Sequence, residues 1–317
     1  KVHKLDGYIV PKNDEFFSEY AFPNRLKTIS NFSGSAGFSI ITRSLNYLFV
    51  DGRYLIQSKF ESGKNFKIIE IPYKYPKDVL NNRKIIKVGY DPKLFTTSTL
   101  KRYFGSKYQL IPINKNLVDL TFLEKQRKNN FFYRLEDKFV GESVLSKISR
   151  LHKILKKNNS DSIFVSAPEN VAWLLNIRGK DNPNSPIPNS RLIIDKEKNI
   201  FFFSDLTKIK KIKNKIKYKK IKFYIFDKFY NSLSELKSSV FTIDRLSCSI
   251  FFESLLMSKF KINNFEDPIY FLKSIKNKVE IKNMKSAHIK DGVALTKFLY
   301  WIKQKENFGF DELSLEK

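Results

Sequence analysis

The sequence predicts an α/β protein: two mixed-sheet units in succession, followed by a helical tail. Three observations carry that prediction. Through residues 1–275, short β-branched and aromatic runs alternate with stretches of helical apolar spacing. Tyr47–Gln57, YLFVDGRYLIQ, passes from an apolar strand through a glycine turn into a helix. From Lys278 to Lys303, Ile281, Met284, Leu295, Phe298 and Ile302 fall at 3-and-4 spacing, which is one long helix.

The elements follow in order. Gly7–Val10 reads as a strand, and Gly37–Thr42 with Tyr47–Val50 as a hairpin around Arg43–Asn46. Tyr54–Phe60 is a helix, Phe66–Ile71 and Ile85–Tyr90 are strands, and Thr99–Phe104 is a helix capped by Thr97 or Ser98. The polar, aperiodic run Gln126–Asn130 is the linker candidate. Gly141-Glu142-Ser143 then leads into a helix over Val144–Lys157, with Val144, Ile148, Leu151 and Leu155 on one face. Ser162–Ser166 is a strand, and Arg191–Asp195 pairs with Asn199–Ser204. A lysine-rich helix over Lys208–Lys222 follows, then the strand Ile221–Phe226, a helix starting at Ser232–Leu236, the strand Val240–Asp244 and a helix over Ser249–Ser258. After the long helix come a turn at 307–310 and the start of another helix at 311–317. Two helices cannot bury their faces alone, so residues beyond about 276 read as the opening of a further domain.

Composition narrows the classes. The chain has 317 residues, is 42% hydrophobic and holds 30 Phe, which is ample core material and excludes a disordered protein. A single cysteine, Cys248, excludes a disulfide framework and a multi-cysteine zinc site. No apolar run approaches a membrane span and residues 1–10 hold no signal-peptide core, so a soluble, cytoplasmic protein is expected. The net charge of +27 and the nine lysines of Lys208–Lys222 invite a nucleic-acid reading. Ile209, Ile212 and Ile216 at helical spacing make those lysines the wet face of an amphipathic helix instead, and neither nucleic acid nor membrane is expected as a partner.

Each motif has a structural reading beside a functional one. Ser33-Gly34-Ser35-Ala36-Gly37 lacks the Lys-Ser/Thr of a phosphate loop and reads as a tight turn between close backbones. Asp51 beside Arg53 reads as a helix cap with an ion pair, ahead of a substrate contact. Asp14, Glu15, Glu19 and Arg25 read as surface or turn ion pairs. In Ala172-Trp173-Leu174-Leu175-Asn176-Ile177-Arg178-Gly179, apolar packing is followed by a glycine exit and the proline-stiffened loop through Asp181, Pro183 and Pro186. Arg178 either orients a peptide or is pinned by Asp181. His288 and Asp291, at i,i+3, read as a hydrogen-bonded pair. His3, His152 and His288 show no paired metal spacing, G-x-S-x-G is absent, and Cys248 has no histidine near it in sequence.

These blocks resemble, in the same order, the creatinase/aminopeptidase P family. The resemblance rests on NFSGSAG (31–37), DGRY (51–54), VGYDP (88–92), LVD (117–119), AWLLNIRG-x-D-x-P-x-x-P (172–186) and the run from Asn277 through Glu280 to His288, Asp291 and Gly292. It implies two creatinase-like, ribonuclease H-like N-terminal domains over 1–135 and 136–275. The opening of a truncated pita-bread metallopeptidase domain over 276–317 would follow. It also implies a cytoplasmic, homodimeric Xaa-Pro aminopeptidase that removes the residue before proline using two manganese ions. The family's metal ligands match nothing here, so this chain is expected to bind no manganese alone and to carry no catalytic residue. Its part would be dimerisation and substrate access, with Arg53, Tyr54, Arg178, Asp181 and His288 on the substrate's approach. The reading from another class is a stand-alone module that binds a protein or peptide.

Overall fold

A computed structural model describes residues 4–20, 22–80, 87–120, 131–304, 309 and 311. The first sheet is assembled from β1 (Gly7–Pro11), β2 (Phe38–Thr42), β3 (Asn46–Val50), β4 (Phe66–Glu70), β5 (Lys87–Tyr90) and β6 (Gln109–Pro112), in the order β4-β3-β2-β1-β5-β6. A two-stranded ribbon pairs β7 (Tyr133–Arg134) with β9 (Ile177–Arg178). The second sheet uses β8 (Ser162–Val165), β10 (Arg191–Ile194), β11 (Ile200–Phe203), β12 (Ile221–Tyr224), β13 (Val240–Ile243) and β14 (Lys261–Asn264), in the order β12-β11-β10-β8-β13-β14.

The two sheets share one topology. In each, the first strand pairs antiparallel with the second and parallel with the fifth, the second and third are antiparallel, and the outer pairs are parallel. Alternation of side chains divides each sheet between two cores. In the second, Ile163, Val165, Leu192 and Phe202 join the cluster beneath the Val144–Lys157 helix, while Phe164, Ile193, Phe201 and Phe203 pack on the other face with Phe229 and Phe252. In the first, Phe38 stacks between Phe49 and Tyr103 at 4.6 and 4.3 Å. Full burial of each such ring stabilises by about 1.5–3 kcal/mol.

Contacts knit the two units together. The N–H groups of Ile250 and Phe251, at the head of the Ile250–Met257 helix, donate to Phe95 O and Pro92 O at 2.9 and 3.0 Å. Arg191, at the start of β10, is fully buried and lies 4.5 Å from the rings of Phe16 and Phe252. Its Nη2 donates to Glu15 O.

Several elements differ from expectation. Thr96, one residue before the expected caps, accepts from Thr99 N and caps a helix over Thr97–Phe104. The lysine-rich segment is helical only over Leu206–Ile209 and continues as successive turns, although Ile209, Ile212 and Ile216 are buried as their spacing requires. Lysines four apart repel, and Asn214 weakens a helix already short of good formers. Ser232–Leu236 closes a helical segment instead of starting one: Phe229–Ser232 is α-helical and Leu233–Glu235 is a single 3-10 turn. The long helix spans Lys278–Lys303 as expected. Gln126–Asn130 lies outside the described residues, as do the expected turn and helix after residue 306 except for Gly309 and Asp311.

Candidate functional site

The WLLNIRG block folds as a helix, a left-handed turn and an edge ribbon. Pro168 opens the helix at a position where its missing N–H costs nothing, and the helix runs to Leu175. Asn176 then takes φ 54°, which Asn tolerates better than most residues. The helix's C-terminal carbonyls are capped from outside. Lys147 Nζ donates to Trp173 O at 2.8 Å and Asn176 Oδ1 at 2.6 Å, and lies 4.2 Å from the Trp173 ring centroid. Burial lowers the Lys147 ammonium to about 8, against the pull of Glu142 and Glu280, with Arg178 and Arg150 also pushing it down.

Beyond Asn176, β9 sets Arg178 opposite Tyr133. Arg178 Nη1 donates to Ala172 O at 3.2 Å and Ile177 O at 2.8 Å. Asp181 does not pin it: that carboxylate takes Lys208 Nζ at 2.5 Å and Asn189 N at 2.7 Å. Among the described residues Arg178 makes no ion pair, and desolvation lowers its affinity for its proton. Gly179 follows because a Cβ there would stand 2.6 Å from Pro188 Cα. The close approach of two backbones, not a special φ, demands glycine.

The facing wall comes from the Pro268–Ser274 helix and the head of the long helix. Lys273 Nζ donates to Asn170 Oδ1 at 2.6 Å, and Asn170 Nδ2 donates to the buried Asp267 at 2.7 Å. Burial raises Asp267 to about 6. Tyr270 donates its hydroxyl to Glu169 at 2.9 Å. Asn277 and Glu280 form a reciprocal capping box, with Asn277 Oδ1 accepting from Val279 N and Glu280 N and Glu280 Oε2 accepting from Asn277 N. Asn277 Nδ2 also donates to Val140 O at 2.8 Å, which ties the long helix to the second unit. Between the walls lies an open cleft of about 290 Å³, lined by Trp173, Arg178, Pro186 and Ile187 on one side and by Lys273, Lys276 and Glu280 on the other.

Of the residues expected on a substrate's approach, Arg178 lines this cleft and the other four do not. Arg53 is exposed, paired to Asp51 through Nε and Nη2 at 3.0 and 2.8 Å and laid over the Tyr54 ring. Asp51 also accepts from Arg53 N, and the guanidinium holds its carboxyl below the usual range. Tyr54 shares a 2.7 Å hydrogen bond with Ser35 in the glycine turn. Gly37 in that turn has φ 149°, with Phe49 O 2.8 Å from where a Cβ would sit. Asp181 is half-buried and paired with Lys208. His288 lies exposed on the long helix, and among the described residues no hydrogen bond joins it to Asp291.

In the acidic run near the N-terminus, Glu15 makes the expected surface ion pair, with Lys93 at 3.7 Å, but its neighbours depart from expectation. Asp14 is buried and caps its own turn by accepting from Phe16 N and Ser18 N, whereas Arg25 forms a bidentate pair with Asp119 at 2.7 and 2.8 Å. Asn31 is left-handed at φ 66° and closes the Arg25–Ser30 helix. Sequence reasoning missed Lys147, Asn170 and Lys273. The signal for Lys147 was present, because it stands three residues after Val144 and four before Leu151, on the helix's apolar stripe.

Among the described residues, no three or more His, Cys, Asp or Glu side chains are grouped to hold a metal ion. The described residues therefore do not fit a two-metal centre. No described helix is long and apolar enough to cross a membrane.

Comparison with known proteins agrees with these blocks. Residues 124–280 match the Creatinase/Prolidase N-terminal domain family. The probable Xaa-Pro aminopeptidase P of Laccaria bicolor is 31% identical over 98% of this chain and 51% of its own length. Xaa-Pro aminopeptidase 1 of Dictyostelium discoideum is 33% identical over 99% of this chain and 53% of its own. The X-prolyl aminopeptidase of Caenorhabditis elegans, described as a cytosolic enzyme with a di-nuclear active site, has the same fold at a TM-score of 0.86, with 24% identity over 98% of this chain and 54% of that one. The chain spans about half the length of the relatives it matches. With a mixed-sheet α/β fold and a creatinase/prolidase-type N-terminal domain matched over residues 124–280, the chain is similar over nearly its whole length to the Xaa-Pro aminopeptidase P family.

Proposed function

We propose that this chain is the non-catalytic, N-terminal part of a metal-dependent Xaa-Pro aminopeptidase, a cytoplasmic homodimer that removes the residue before a proline using two manganese ions. In this reading residues 1–135 and 136–275 form two creatinase-like domains, and residues 276–317 open the catalytic domain. The chain's part is to support dimerisation and to govern the approach of peptides to a centre held elsewhere. Arg53, Tyr54, Arg178, Asp181 and His288 are assigned to that approach, Arg178 foremost because it lines a cleft beside the head of the long helix.

One observation carries the reading: nearly all of this chain aligns with about half of each relative, yet its described residues offer no group able to hold a metal ion. Two-metal hydrolysis needs both ions clamped in one place. The purified chain with added Mn²⁺ is therefore expected to leave a Xaa-Pro peptide uncut. Mixed with the complementary part of the Dictyostelium relative, it is expected to restore cleavage. Turnover by the chain alone, above a heat-killed control, overturns the proposal.

A further inference from the structure

We propose that the cleft between the Pro168–Leu175 helix and the head of the long helix binds the C-terminal carboxylate of a short peptide. Arg178 is its anchor, and Trp173 with Pro186 is the wall for the last side chain. The inference rests on the peptidase reading and names the part of the substrate that this cleft takes.

A balance of partners leads there. The cleft holds charges of both signs, but its carboxylates are already engaged: Glu169 accepts from Tyr270 and Glu280 from Asn277 N. Two of its three cations are also committed, Lys273 to Asn170 Oδ1 and Lys276 to Lys273 O at 2.8 Å. Arg178 differs. Its hydrogen bonds within the described residues go from Nη1 to two main-chain carbonyls, which leaves the rest of a half-buried guanidinium fork without a carboxylate. A planar fork of this kind matches a carboxylate in bidentate fashion, and partial removal from water strengthens the pair. Beside it, Trp173 lines the cleft, and its buried indole N–H has no partner among the described residues. The volume of about 290 Å³ suits the end of a peptide and not its whole length.

The fork is also held in place. Lys147 caps the helix that ends at Leu175, Asn176 turns the chain, and the ribbon to Tyr133 fixes the Arg178 backbone. Such preorganisation lowers the entropy lost on binding.

Trp173 supplies the readout, since the chain has only two Trp and Trp301 can be removed as Trp301→Phe. The full chain is titrated with Ala-Pro-Phe as the free acid, with the same peptide as its C-terminal amide, and with acetate alone. Saturable change with the acid is expected, at least about tenfold weaker binding of the amide, and no response to acetate over the same range. Arg178→Met is expected to bind acid and amide alike with its far-UV circular dichroism and melting temperature unchanged, while Arg178→Lys keeps part of the preference. Equal binding of acid and amide, no saturable response to the acid, or a response to acetate matching the peptide's overturns the proposal. So does a preference that survives Arg178→Met but is lost in Lys273→Gln. Each of these results leaves the complementation experiment to judge the peptidase reading on its own.

Discussion

Replacing Lys147 with Met should change how stability depends on pH more than stability itself. Lys147 is 1% exposed, and burial lowers its ammonium to about 8 from 10.5. The unfolded chain therefore binds this proton more tightly than the folded one, and stability rises with pH between those two values. Below about pH 8 both states carry the charge, and the folded state bears its full cost of about 3 kcal/mol at about 1.4 kcal/mol per pH unit. Between about pH 7 and pH 9.5 the unsubstituted protein recovers about 2 kcal/mol of that. Lys147→Met has nothing to titrate but leaves Trp173 O and Asn176 Oδ1 without their donor, each worth about 1–2 kcal/mol. Near pH 7 the relieved charge and the lost hydrogen bonds offset, so the two proteins should be similar in stability. By about pH 9.5 the variant should be about 2 kcal/mol the weaker. Urea unfolding followed by Trp173 fluorescence, in a Trp301→Phe background, measures both. Parallel stability curves across that range would refute the burial argument.

Asp267 gives the opposite sign. Its carboxyl is raised to about 6 by burial, with Asp244 adding to the rise and Asn170, Ile269 N and Lys273 opposing it, so the protonated form is favoured in the fold. That contribution is present below its ordinary value of 3.8 and lost as pH rises through about 6, so relative to Asp267→Asn the unsubstituted protein should lose about 2 kcal/mol between pH 4 and 7 in urea melts. Gly37→Ala should cost about 1–3 kcal/mol, because φ 149° and Phe49 O at 2.8 Å both oppose a Cβ, and a thermal melt reads it directly. Arg191→Met removes the donor to Glu15 O and the contacts with Phe16 and Phe252, and should speed amide exchange of Phe16 and Ser18 about tenfold or more while β8 and β10 amides stay protected.

What the sequence made legible was local. Strand after strand, and the full extent of the Val144–Lys157 and Lys278–Lys303 helices, followed from spacing and punctuation. The Asp51–Arg53 pair was legible because its partners are two residues apart. Arg25 could not be matched to Asp119 across 94 residues, nor Asp181 to Lys208 across 27, because the sheets bring those partners together and spacing does not. Of the shared strand order, the β2–β3 and β10–β11 pairs were legible as neighbours, whereas the pairing of β1 with β5 and of β8 with β13 was hidden for the same reason, because each joins segments distant in sequence. A periodic pattern states which side of an element needs cover, and it is silent on the backbone that delivers the side chain and on what covers it. Ile209, Ile212 and Ile216 obtained burial through a string of turns where a helix was expected. Lys147 occupies the apolar stripe of its helix because a carbonyl, an amide oxygen and an indole face await it there. The long helix is the limiting case. Its apolar residues recur as a core-facing stripe should, yet Met284 is 46% and Leu295 58% exposed. Pattern therefore records a demand for burial, and only tertiary structure decides whether, and by what, that demand is met.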